Sequence, residues 1–158
     1  MTKEQLGELI LSSEAQLYAT ARTILADDQD CRDAIQEAIV KAFSKIHTLK
    51  KDEYAKTWLM RILINECYNF FRKESRHIPV AEIEQEMYTE KQDYSELYRA
   101  VNTLKKELRI PVILYYMEEF SVKEIAQILE ISEGAVQKRL ARARKKLKAE
   151  VDLKEVIA

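Results

Sequence analysis

Turn-forming residues are nearly absent from this chain: its 158 residues include two glycines, Gly7 and Gly134, and two prolines, Pro79 and Pro111. A sheet protein needs a turn about every 8–12 residues, and tight turns call for Gly, Pro, Asn or Asp at set positions. The chain therefore reads as all-α. Its length allows one domain or two small ones. With 47% apolar residues a packed core is within reach, and the 34% charged residues suit the solvent-facing sides of helices.

Apolar periodicity places the helices. Leu6, Ile10, Leu17, Ala21, Ile24 and Leu25 fall on one stripe and predict a first helix over 3–25. The run Asp27, Asp28, Gln29, Asp30 breaks it and caps a second helix reaching about residue 46. Ile35, Ile39, Ala42, Phe43 and Ile46 face inward on that helix, and Asp33, Gln36, Glu37 and Lys41 face outward. A polar loop over 47–54 precedes a third helix over 55–73. There Leu59, Ile62, Leu63, Cys67, Phe70 and Phe71 pack, while Arg61, Asn65, Asn69 and Arg72 form a polar stripe. These helices close a first domain over 1–75. Residues 76–93 keep no sustained period and carry Pro79 and many acids, which reads as a linker. A second domain spans 94–158. Leu97, Val101, Leu104 and Leu108 mark its first helix, and Pro111 suits the first turn of the next.

Two features of the second domain point to function. Ser121 and Glu124 form a capping box ahead of the short apolar face Val122, Ile125, Ala126 and Leu129. Glu130, Ile131 and Ser132 make a tight turn, with Ser132 as N-cap of a last helix over 133–150. A short helix, a three-residue turn and a longer helix make a helix-turn-helix, and Ile125, Ala126, Leu129, Ile131, Val136 and Leu140 supply its shared core. The second helix would lie in the DNA major groove. Glu133, Gln137, Lys138, Arg139 and Arg142 stand where base edges are read, and Arg144 and Lys145 where phosphates are met. Charge supports this. Residues 132–148 hold seven bases and one acid, whereas 74–96 hold seven acids and two bases, so the overall net charge of −1 hides a strong asymmetry.

The segment FSVKEIAQILEISEGAVQKRLARARKKLK, residues 120–148, resembles region four of bacterial sigma factors, which recognises the −35 promoter element. DAIQEAIVKAFSKI (33–46) and KTWLMRILINECYNFFRK (56–73) are similar to region two, which binds the polymerase clamp and opens the −10 element. The resemblance covers nearly the whole chain. The pair in this order, with no intermediate domain, resembles the extracytoplasmic-function (ECF) group. It implies an alternative sigma factor that binds core RNA polymerase, through the clamp coiled coil of the largest subunit and the flap, and directs initiation at promoter DNA. It assigns Asp33, Gln36 and Glu37 to polymerase docking. Tyr54, Trp58, Arg61 and Asn65, with the 47–54 loop, go to the melted −10 strand. Without it, the Asp33 face reads as solvated helix surface and Trp58 as core. Family members are commonly held by an anti-sigma factor, often membrane-bound, and respond to envelope stress. No cofactor or metal is implied.

Two departures stand out. Glu130 occupies the turn position where the family usually has glycine; either left-handed backbone there costs about 1 kcal/mol or the turn differs. Ala135 and Gln137 stand where threonine and serine are frequent, so promoter preference does not carry over. On the residues alone, a conventional dimeric helix-turn-helix regulator remains the alternative. An enzyme is disfavoured: His47 and His77 have no nucleophile or metal partner in the pattern, and no phosphate loop is present. Cys31 and Cys67 show no metal spacing and read as buried thiols. The N-terminus is no signal peptide and no run of about 18 apolar residues occurs, so the expected location is cytoplasmic, with no membrane insertion.

Overall fold

The apolar periods resolve into helices throughout the computed structural model, which describes residues 1–74 and 96–157, with side chains over 1–72 and 99–149. The described residues contain no strand. In chain order the helices are α1 (Lys3–Ser12), α2 (Glu14–Ile24), α3 (Asp28–Ser44), α4 (Ala55–Glu74), α5 (Glu96–Thr103), α6 (Lys106–Val112), α7 (Val122–Leu129) and α8 (Glu133–Ile157). Two 3₁₀ turns, Ile46–Thr48 and Asp52–Tyr54, shape the loop expected over 47–54. The linker expected over 76–93 lies outside the described residues.

The helix expected over 3–25 is in fact two. Ser13, at φ −106° and ψ 4°, interrupts it, and its N–H bonds to the Ile10 carbonyl at 3.1 Å. The Ser12 hydroxyl also donates to the Leu9 carbonyl at 3.0 Å, the kind of local bond by which serine competes with helix. Leu6, Ile10, Leu17, Ala21 and Ile24 are all buried across the break, so the apolar stripe does not reveal it.

A second difference concerns α3. Ile35, Ile39, Phe43 and Ile46 are only partly buried, while Cys31, Ala34, Ala38 and Ala42 are fully enclosed. That stripe of small side chains lets α3 approach α4 closely, against Leu59, Met60, Leu63 and Ile64 in one core. Lys41, expected on the outer face, instead bonds the buried Glu66 carboxylate of α4.

Pro111 is the third difference. It sits inside α6 rather than in a first turn. Lacking an N–H, it breaks the ladder to the carbonyl four residues back. The chain then widens into a π turn over Ile113–Met117, with the Glu118 N–H bonding the Ile113 carbonyl at 3.1 Å. This turn carries Glu118 toward the N-terminal helices. α6 itself is tied to the end of α5 by buried Arg109, which donates to the carbonyls of Asn102 (3.1 Å) and Leu104 (3.3 Å).

The N-terminal helices α1–α4 and the C-terminal helices α5–α8 pack directly on each other, and their buried residues form one continuous apolar cluster. α4 meets α7, and α2 meets α6 and the π turn. At this contact the Thr20 hydroxyl donates to the Glu118 carboxylate, 2.7 and 2.8 Å from its two oxygens. Gln16 Nε2 reaches the Glu118 carbonyl at 3.5 Å, Lys56 Nζ stands 5.7 Å from the centre of the Phe120 ring, and Lys106 lies over the Phe71 ring.

Burial pushes the Cys31 thiol up to about 12 and raises that of Cys67 as well, so both stay protonated and inert. Burial also pushes the Glu118 carboxyl up to about 7, against the Thr20 hydrogen bond and the Lys56 charge, which favour the ionised form. A raised carboxyl value means the folded chain holds this proton more tightly than the unfolded one. The resulting stability is complete below the ordinary carboxyl value of 4.5 and is lost as pH rises through about 7. Urea unfolding should therefore show a stability decline between those values that Glu118→Gln removes, of about 3 kcal/mol. Ala38→Leu should lower stability by about 1–3 kcal/mol by forcing α3 from α4, read as a drop in urea midpoint at constant slope.

Candidate nucleic-acid interface

The helix-turn-helix is built by local chemistry. At the start of α7 the Glu124 N–H donates to the Ser121 hydroxyl at 3.1 Å, and the Ser121 N–H donates to the Glu124 carboxylate at 3.0 Å. Glu130 ends α7 in the left-handed region, φ 57° and ψ 43°, so of the two possibilities at this position the turn keeps the backbone that glycine favours. The Ile131 N–H bonds back to the Ala126 carbonyl at 3.1 Å, and the Ala135 N–H donates to the Ser132 hydroxyl at 3.1 Å, capping α8. Ile125, Ala126, Ile128, Val136, Leu140 and Ala143 are buried between the helices, with Leu129, Ile131 and Leu147 packed at the edge. These contacts fix which side of α8 meets solvent.

That side carries the residues singled out for duplex reading. Glu133, Gln137, Lys138, Arg142, Arg144 and Lys145 are exposed, with Lys146 and Lys148 extending the basic face. Lys138, Arg142 and Lys145, spaced at one helical stripe, make no ion pair among the described residues. Two of the candidates are partly engaged within the chain. Arg139 is half-buried with Nε 3.7 Å from a Glu107 carboxylate oxygen of α6, and Arg144 donates to the Tyr116 hydroxyl at 3.0 Å.

A second cationic and aromatic feature lies where α4 leaves the preceding loop. Tyr54, Trp58 and Arg61 line one pocket of ≈ 230 Å³, together with Thr48, Leu49, Lys50, Lys51 and Thr57. Trp58 is half-buried, and Tyr54 and Arg61 are exposed. Asn65 is exposed one turn along the same face and does not line the pocket. Lys50, Lys51, Thr48 and Thr57 were not picked out individually from sequence; a loop has no period to say which side chains turn inward. The wall opposite is Gln127 of α7, and the neighbouring Glu130 carboxylate lies 3.3 Å from Arg61 Nε. No sequence signal placed those two residues here, since nothing local ties 127–130 to 61.

The third candidate surface is on α3. Gln36 and Glu37 are exposed, and Asp33 is half-buried and accepts from Gln29 Nε2 at 2.9 Å. Val40, which falls on the same stripe, is 64% exposed, an apolar centre in a polar face. Among the described residues there is no His, Cys, Asp and Glu group able to hold a metal, and no helix long and apolar enough to cross a membrane.

Comparison with known proteins gives a consistent picture. The family model for Sigma-70 region 2 matches residues 9–77, and that for Sigma-70, region 4 matches residues 94–147. The chain is 27% identical over 154 residues to the RNA polymerase sigma factor SigV of Bacillus subtilis, covering 95% of this chain and 93% of the relative. It is 29% identical over 145 residues to the ECF RNA polymerase sigma factor SigM of Mycobacterium tuberculosis, covering 89% and 74%. Two solved structures share the fold. CnrH in complex with the cytosolic domain of CnrY has a TM-score of 0.72 at 24% identity, covering 96% of this chain and 90% of that one. The sigma factor RpoE in complex with the anti-sigma factor NepR from Bartonella quintana has a TM-score of 0.75 at 23% identity, covering 94% and 98%.

The Ser132 cap sets the exposed face of α8 at its start. Ser132→Ala should cost about 1 kcal/mol locally, seen as roughly fivefold faster hydrogen exchange at the first amides of α8 with later amides unchanged.

Proposed function

The chain belongs to the sigma-70 family, carrying its regions 2 and 4 and similar to ECF sigma factors, and from that membership we propose how its surfaces divide the work of promoter-specific initiation. The first domain, 1–75, docks on core RNA polymerase through Asp33, Gln36 and Glu37, and the exposed Val40 beside them gives that contact an apolar centre. An acidic and polar face suits a basic partner surface. The pocket of Tyr54, Trp58 and Arg61 receives a base flipped from the melted −10 strand, held by stacking and by the cations Lys50, Lys51 and Arg61, with Asn65 beyond it. The second domain, 94–158, lays α8 in the major groove of the −35 element. Glu133, Gln137, Lys138 and Arg142 reach base edges, Arg144 and Lys145 meet phosphates, and Arg139 joins them once its contact with Glu107 yields. Residues 76–93 join the two.

The observation that carries this reading is the presence on one chain of two distinct cationic surfaces: a capped helix-turn-helix with a bare basic stripe, and a small aromatic pocket. A duplex-only regulator has no use for the second. The chain itself then needs no catalytic group, since the polymerase performs the chemistry, and its place of action is the cytoplasm. By extension from the neighbours seen with CnrY and with NepR, we infer that an anti-sigma partner holds this chain too.

Transcription with core polymerase on genomic template from the host organism tests the whole reading: promoter-specific starts should appear when the chain is added. Duplex binding with no such starts would favour the dimeric regulator. Asp33→Ala, Gln36→Ala and Glu37→Ala together should weaken core-polymerase binding by about tenfold while leaving the circular dichroism spectrum unchanged. Lys145→Ala should weaken duplex binding similarly for all sequences and reduce the slope of log affinity against log salt by about 1.

A further inference from the structure

We propose that Tyr116 is a positioning residue for Arg144: its phenol hydroxyl, carried on the π turn, holds the guanidinium at the flank of α8, aimed at a backbone phosphate of the bound duplex. The proposal rests on the reading of Arg144 as a phosphate contact and deepens it by naming the group that aims it.

Three observations support it. First, Arg144 stands where it needs direction. On α8 the residues Val136, Leu140 and Ala143 are buried. Arg144 follows Ala143 by about 100° around the helix, so it lies between the buried side and the open stripe of Lys138, Arg142 and Lys145. A long arginine side chain at such a position has many rotamers, over either side. Its Nη1 instead donates to the Tyr116 hydroxyl at 3.0 Å, across 28 positions of the chain.

Second, the partner is neutral. Arg61 and Arg139 are each answered by a carboxylate, Glu130 and Glu107, which offsets the charge it holds. Among the described residues no carboxylate pairs with Arg144. A phenol hydroxyl accepts a hydrogen bond without bringing a negative charge. Arg144 is thus oriented with its positive charge intact. Its Nε and Nη2 donors remain for the two-bond, side-on contact that suits a phosphate. A carboxylate at the place of the phenol would compete with that phosphate.

Third, the phenol is itself held. Tyr116 lies between Leu114 and Glu118, both buried, so the π turn is anchored on either side of it. The Tyr115 ring stands 5.0 Å from the Tyr116 ring, tilted by 41°, a separation at which aromatic pairs attract. Tyr116 is nonetheless 53% exposed, so its ring adds little to the core, and the hydroxyl is what the position supplies. A donor held in place before the duplex arrives loses less freedom on binding, and so contributes more to affinity.

The test uses the full chain as wild type, Tyr116→Phe, Arg144→Ala and the double variant, each checked by circular dichroism. Binding to a pair of mixed-sequence duplexes is read by fluorescence anisotropy over a range of salt concentrations. Arg144→Ala should weaken binding to both duplexes by about tenfold and lower the slope of log affinity against log salt by about 1. Tyr116→Phe should weaken both by about threefold and lower the slope part of the way. It removes one hydroxyl and no charge, so a lower slope means that a phosphate contact has been lost. The double variant should match Arg144→Ala alone, since a residue that acts through Arg144 then has nothing to position. Unchanged affinity or an unchanged slope in Tyr116→Phe overturns the positioning role, and so do losses that add in the double variant. Equal binding by the wild type and Arg144→Ala, or no duplex binding by the wild type at low salt, instead overturns the reading of Arg144 as a phosphate contact, and the positioning role falls with it.

Discussion

Helix α4 is the member on which everything else leans. Ala55, Thr57, Leu59, Met60, Leu63, Ile64, Glu66 and Cys67 are all buried. At ~100° per residue these positions sweep roughly 200° of the helix circumference, about twice the stripe of an ordinary surface helix. An element covered so widely needs partners on several sides, and it has them in α2, α3 and α7. What remains uncovered is a narrow band, Arg61, Asn65, Asn69 and Arg72, which is the band that carries its polar chemistry. The site is thus the part of a core helix that the core leaves over. Its position is as rigid as the packing behind it, which is what a pocket for a single base requires.

The C-terminal half solves a different problem, that of aiming a basic helix outward while keeping acidic groups turned inward. Caps do the aiming: Ser121 with Glu124, and Ser132 with the Ala135 amide, define both helices of the motif without help from distant residues. Pro111 does the turning. By interrupting the ladder of α6 it permits the π turn, whose wider spacing delivers Glu118 to α2. The result is one chain with two electrostatic habits. The stripe of Lys138, Arg142 and Lys145 is left bare, while Arg61 is shielded by a carboxylate from the same molecule.

How much of this could be read from the residues alone follows the range of the interactions involved. The capping box and the Ser132 cap are local, separated by three residues, and both were legible, whereas the backbone of Glu130 was open between left-handed and a different turn. The helices were legible from period, except where one apolar stripe runs straight over the break at Ser13. The interior of α3 was read only in part, because large residues signal burial more loudly than small ones. Cys31 and Ala42 are enclosed as expected, but so are Ala34 and Ala38, which are small enough to pass unnoticed, and the larger Ile35 and Ile39 ride at the edge of the core. The basic stripe on α8 could be named, and so could Tyr54, Trp58 and Arg61. That Glu130 answers Arg61, or that Thr20 answers Glu118, could not, since a single sequence has no pattern linking positions so far apart.

That last separation matters in time as well as in space. Thr20 and Glu118 are 98 positions apart. At a ribosomal rate of about 5–20 residues per second, roughly 5–20 s pass between the emergence of one and the emergence of the other. For the part of that interval after residue 74 has emerged, α1–α4 are present without the helices that complete their apolar surface. The faces of α2 and α4 that α6 and α7 later cover are open to whatever the nascent chain meets first. A newborn molecule therefore makes its earliest encounters with those apolar faces uncovered.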